Sequence, residues 1–170
     1  MKRLTLVLIL TFVAVTTYGA DKIHELDALG GKWQCKGTVY AMPGAPQHAI
    51  TATVDSKWLF GGKWLEMDYA EAKTAANPHP IEVRAFFTWD AGDKKFALGS
   101  IVNDGSYSTE QSSGWEGNSI SFTGPNHMGG GPTVSGRDTW TKKGSSVVYS
   151  FEWDDNGTWK KAIAATCTRG

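Results

Sequence analysis

Val147-Val148-Tyr149-Ser150-Phe151-Glu152-Trp153 is the stretch on which the fold turns. Val147, Tyr149, Phe151 and Trp153 fall on one side of an extended chain, and Val148, Ser150 and Glu152 on the other. That period-two alternation marks a half-buried strand. Lys143-Gly144 before it and Asn156-Gly157 after it are turn signals, so the strand begins and ends within one barrel-height of chain.

The same grammar continues outward. Val83, Ala85, Phe87 and Trp89 form a second row, opposed by Arg84, Phe86 and Thr88, and Phe96, Leu98, Ser100 and Val102 form a third. Further turns fall at Gly61-Gly62, Ala91-Gly92, Asp104-Gly105, Glu116-Gly117-Asn118 and Gly129-Gly130-Gly131, and from Gly92 onward they recur about every 12 to 14 residues. The pattern predicts ten strands: Lys32 to Tyr40, Ala49 to Leu59, Lys63 to Glu71, Ile81 to Asp90, Lys95 to Asn103, Ser106 to Gly114, Ser119 to Gly124, Thr133 to Lys142, Ser146 to Asp154 and Thr158 to Arg169. Asp21 to Leu29 reads as one short helix capped by Asp21, a lid over one end. Met42 to Gln47 and Thr74 to Pro80 read as longer connections at one rim.

Short loops make sequential strands antiparallel neighbours. An even number of them lets the first pair with the last, closing an up-and-down antiparallel β-barrel of about ten strands and removing both edges. Cys35 and Cys167, one in each terminal strand, test that closure. If they lie opposite one another, paired residues sum to 202, and Trp33 stands opposite Arg169 on the same face. Cross-strand pairing brings α carbons to about 4.5 to 5.5 Å, within reach of a disulfide. Two buried free thiols are the alternative.

The oxidising compartment that favours the bond is announced at the N-terminus. Lys2 and Arg3 precede an apolar run from Leu4 to Val15, then small residues, which is the layout of a signal peptide over residues 1–20, with cleavage next to Gly19 favoured over cleavage after Ala20, which would put bulky Tyr18 at minus three. The remaining domain, residues 21–170, is expected to be secreted or periplasmic. It carries 15 basic and 17 acidic side chains, a net charge of minus two with no block of one sign. Such a balance argues against nucleic acid as partner, and no later stretch reaches the roughly 18 apolar residues of a membrane helix. Eight tryptophans, seven phenylalanines and five tyrosines, counted with Phe12 and Tyr18 of the leader, make the core or its cavity aromatic.

Gly31-Lys32-Trp33, after a short helix and opening the first strand, resembles the Gly-x-Trp signature of the lipocalin and fatty-acid-binding superfamily, the calycins. In that superfamily the tryptophan plugs one barrel end and an arginine from near the last strand crosses it, a role the resemblance assigns to Arg169. A second resemblance, from Leu26 to Arg169, is to the secreted bacterial domain of unknown function family 1579, itself lipocalin-like. It rests on Leu29-Gly30-Gly31-Lys32-Trp33, Leu59-Phe60-Gly61-Gly62-Lys63-Trp64-Leu65, Thr88-Trp89-Asp90 ahead of Lys94-Lys95-Phe96, and Asp155-Asn156-Gly157-Thr158-Trp159. These are turn and packing residues, so the resemblance implies a fold and supplies no catalytic residue.

Reactive constellations are sparse. His24, His48, His79 and His127 sit on the lid or in loops without the spacing of a zinc site. His127, between Asn126 and Met128, is the best-placed loop ligand or general base, and a single proximal histidine for haem is a related reading. Asp154-Asp155-Asn156-Gly157 begins like a calcium loop but lacks the later glutamate, so it reads as a hairpin turn. Glu66 and Asp68 share a strand face and read as outward charges. No catalytic residue, metal or cofactor is expected.

Ten strands enclose more room than the eight that side chains can already fill. The leading expectation is therefore a binding protein for a small lipophilic ligand, held among Phe87, Trp89, Tyr149, Phe151 and Trp153 with His127 at the rim. The face bearing these aromatics can instead be a solid core or the outer wall. An envelope interaction module with a packed interior, and an enzyme with a site at the barrel mouth, are the other readings.

Overall fold

A computed structural model describes residues 22–41 and 46–170. The expected signal peptide over residues 1–20, the expected cap Asp21 and most of the expected Met42 to Gln47 connection lie outside the described residues. The chain forms a closed antiparallel barrel of ten strands, with an eleventh, two-residue strand appended. The strands are β1 (Gly31–Val39), β2 (His48–Leu59), β3 (Trp64–Glu71), β4 (Glu82–Asp90), β5 (Lys95–Val102), β6 (Tyr107–Ser112), the appended β7 (Trp115–Glu116), β8 (Ser119–His127), β9 (Thr133–Lys143), β10 (Ser146–Asp155) and β11 (Thr158–Arg169). Each pairs with its sequence neighbours, except that β6 pairs with β8 past the short β7, and β1 with β11 closes the ring.

The closing register is the one the cysteines demand. Cys35 pairs with Cys167 and Trp33 with Arg169, and the Cys35–Cys167 disulfide bridges α carbons 4.0 Å apart. At the Asn156-Gly157 turn both residues have positive φ, 53° and 86°, which matches the right-handed twist of the flanking strands.

Two expectations change. The N-terminal helix is a single 3₁₀ segment, His24–Leu29. Ile23, just before it, and its own Leu26 and Leu29 recur every three positions, the period at which a 3₁₀ turn eclipses its side chains, and all three are buried. The strand expected to end at Gly124 runs on to His127 through Pro125. The β6–β8 ladder pairs Tyr107 with His127, Ser108 with Asn126 and Gln111 with Thr123, and skips the positions between. Proline, which has no N–H to give, is tolerated at such a gap.

The 3₁₀ segment plugs one end. Trp33 Nε1 donates to Leu29 O at 3.3 Å and Trp115 Nε1 donates to Glu25 O at 2.9 Å, tying the plug to the wall. Gly31 has φ 89°, and a β carbon there would run into the Arg169 guanidinium, so the first residue of the Gly-x-Trp signature needs to be glycine on both counts. Arg169 donates to Gly30 O and holds its guanidinium carbon 3.8 Å from the Trp33 ring centroid.

Beside the plug an aromatic layer fills part of the barrel. Phe87, Phe122 and Trp140 meet edge-to-face with centroids 5.5 to 5.8 Å apart, and Trp89 packs on Phe96 at 5.0 Å. On the outer wall Glu66 and Asp68 do point away from the interior, but Glu66 is only 7% exposed. Lys57 at 2.9 Å and Arg84 at 3.5 Å cover it.

Candidate functional site

Between that aromatic layer and the far rim lies a cavity of about 260 Å³. Trp33 and Leu29 reach its floor, Met67, Ala85 and Leu98 form part of its wall, and Ile81, Asp104 and Met128 stand toward the rim. Most of the wall is apolar. Of its polar side chains, Asn126, Asp138 and Tyr149 converge where β8, β9 and β10 run side by side next to β6, while Tyr69, Ser100, Asp104 and Ser106 are placed elsewhere around it.

At that convergence Tyr149 Oη donates to Asp138 Oδ1 at 2.5 Å. Asn126 Nδ2 donates to Glu110 Oε1 at 2.8 Å, and the carboxyl of Glu110 abuts that of Asp138. The room for this comes from two glycines paired across β8 and β9, Gly124 and Gly136. A β carbon at Gly136 would collide with the Asn126 amide, and one at Gly124 would lie 2.9 Å from Glu110 Cα. Glu110 is 2% exposed, and its Oε2 has no donor within hydrogen-bonding distance.

Burial in this wall, followed by the neighbouring Asp138 charge, raises the Glu110 carboxyl to about 9. Asp138 is also raised by burial, opposed by the hydrogen bonds from Glu110 and Tyr149, and its accessible edge faces the cavity. Two carboxylates in contact inside a low-dielectric wall do not both ionise, so at neutral pH the pair shares one proton. That proton supplies the donor the Glu110–Asp138 contact otherwise lacks. Tyr149 is held neutral, raised well above its ordinary value by burial and then by Asp138.

Another buried carboxylate marks the far rim. Glu71 accepts from Asn77 Nδ2 at 2.8 Å, the Ile81 N–H at 3.0 Å and Tyr69 Oη at 2.9 Å. It thereby pins the loop between β3 and β4 to the barrel. Tyr69, which also lines the cavity, is raised by burial and by Glu71.

The six residues named from the sequence separate. Tyr149 and Phe151 line the cavity. Phe87 and Trp89 share the inward row but lie lower, in the solid layer. Trp153 is half-buried beyond the cavity wall, opposite Gly136. His127 lies outside the cavity wall, stacked on Tyr107 at 4.2 Å and within 2.8 Å of the Thr133 hydroxyl. Glu110 and Asp138 escaped the sequence reading. Asp138 was within reach of it, because a carboxylate two positions from a core tryptophan on one strand shares the tryptophan's face.

Residues 20–169 match the model of the family described as Protein of unknown function (DUF1579). No curated protein matches the chain. Among solved structures the chain is similar to Rv2717c from M. tuberculosis, at 17% identity and a TM-score of 0.64, over 86% of this chain and 97% of that one. At that identity the likeness concerns the fold.

Proposed function

The chain belongs to the DUF1579 family, and from that premise and the cavity we propose that it is an exported binding protein for a small, mainly apolar molecule carrying one polar group. The observation that carries the proposal is the combination inside the barrel: a mostly apolar chamber of about 260 Å³ with a hydrogen-bonded polar corner at Asp138, Tyr149 and Asn126. Small-molecule sites share this build, apolar walls for affinity and a few placed polar groups for orientation. The volume lies just below the usual range of roughly 300 to 1,000 Å³, so the ligand is compact. Export is supported by the leader-like first twenty residues and by the Cys35–Cys167 bond, which an oxidising compartment sustains.

Tryptophan fluorescence tests the binding reading, since Trp33 and Trp140 border the chamber. A panel of compact lipophilic compounds should quench or shift emission, and Ala85→Phe, which fills the chamber, should abolish the response. No response to any member would end the proposal.

An envelope interaction module is the second reading, favoured by the outer wall. Phe60 is 76% exposed and Trp64 37%, and with Phe86 they border an open groove over β3 to β6 and β8. Exposed apolar surface of this kind is the mark of a protein contact. Phe60→Asp with Trp64→Ser should leave ligand quenching intact while removing any partner captured from the envelope fraction.

A further inference from the structure

The polar corner of the cavity has a definite electrical character. Asp138 and Asp104 are the ionisable acids in the chamber wall, Glu110 and Glu71 stand directly behind it, and among the described residues no lysine, arginine or histidine lines it. The donors there are already engaged: Tyr149 gives its O–H to Asp138 and Asn126 its amide nitrogen to Glu110. With those donors engaged, this corner presents chiefly acceptors, the Asp138 carboxylate and the Tyr149 oxygen, bordered by Trp140 and Phe151, while Tyr69, Ser100 and Ser106 line the chamber elsewhere.

We propose that the ligand is a small organic amine, bound as its ammonium against Asp138 in exchange for the proton shared by Asp138 and Glu110. The inference rests on the binding reading above and specifies the ligand's polar group.

An ammonium offers three donors and no acceptor, the complement of this wall. Aromatic faces beside it add cation–π attraction. A carboxylate ligand at this corner would meet the reverse, acceptors and negative charge with no cation to receive it, and would be rejected by desolvation and repulsion together. Glu110 sharpens the point. It is 2% exposed, its Oε2 has no donor, and it is directed at Asp138, so the wall carries one more acid than it can ionise alone. A cation seated on Asp138 supplies the missing countercharge. The O–H bond of the shared carboxyl proton then breaks, the proton leaves to buffer, both electrons remain on the carboxylate, and no covalent bond forms with the ligand. The groups that face Glu110 in this exchange are Ser108 on its own strand, Asn126 on β8, Asp138 on β9 and Tyr149 on β10, with Tyr69 of β3 next to Tyr149.

Isothermal titration of the mature protein with 2-phenylethylamine, 2-phenylethanol and phenylacetate distinguishes the alternatives. At pH 7.5 the amine should bind at least about tenfold more tightly than the alcohol, phenylacetate should not bind, and the amine's heat should vary with the ionisation enthalpy of the buffer as protons are released. Asp138→Asn should lose the preference for the amine over the alcohol, and Glu110→Gln should keep the preference and lose the proton release. Circular dichroism and a retained cooperative unfolding transition show that each variant is folded. Alcohol or phenylacetate binding as tightly as the amine overturns the inference and leaves the binding reading standing. Failure of all three probes, with the lipophilic panel also blank, removes the binding reading and this inference with it.

Discussion

Trp33 and Arg169 stand opposite one another where the first strand meets the last, the guanidinium laid over the indole and hydrogen-bonded to Gly30 O. One side chain thus covers the plug tryptophan and joins the two chain ends.

Arg169→Ala removes the stacking and the hydrogen bond together. A loss of about 1 to 2 kcal/mol is expected. Urea unfolding gives that value, and a red shift of the Trp33 contribution to emission accompanies it.

Reduction of Cys35–Cys167 frees a closed loop of 132 residues. In the chain-entropy account such a loop is worth about 4 to 5 kcal/mol, with measured values often smaller. The denaturation midpoint should fall on adding a thiol reductant, and Cys35→Ser with Cys167→Ser should reproduce the fall. Equal midpoints with and without reductant would contradict the closing role of the bond.

Stability should decline as pH rises through the neutral range. Glu110 is raised from an ordinary 4.5 to about 9 in the fold, so between those values the native state holds a proton that the unfolded chain has released. The contribution is full below about 4.5 and is lost progressively up to about 9, with a limiting slope of about 1.4 kcal/mol per pH unit. Asp138, also raised, acts in the same sense. Glu110→Gln, which keeps both the acceptor for Asn126 and a donor for Asp138, should flatten that slope, as read from unfolding curves at pH 5, 7 and 9.

Gly124→Ala should cost about 1 to 3 kcal/mol, because its β carbon would press on the Thr109 carbonyl and on Glu110 Cα across the seam. Hydrogen exchange should rise in β6 and β8 and remain unchanged at the β1–β11 closure.

Face and register were legible in the sequence, and depth along the barrel was not. The two cysteines fix the closing register by arithmetic, and alternation fixes which side of a strand looks inward. Alternation alone does not say that Phe87 belongs to a solid layer while Tyr149 borders a void, because that depends on which rings meet from β8 and β9. Strand β6 was opaque for another reason. Its inward residues Ser108, Glu110 and Ser112 and its outward ones Tyr107, Thr109 and Gln111 are nearly all polar, so no contrast marks the buried face. The acid pair was hidden with it.

Cys35 and Cys167 both border the cavity as well as closing the barrel. Their sulfurs share the space that a ligand would fill. A small thiol that reaches the bond from inside must pass through that space, so an occupant would shield it and an empty chamber would leave it open. The speed of reduction under native conditions then becomes a clock for the interior, slowing as the chamber fills, and it runs without a label whatever the occupant is.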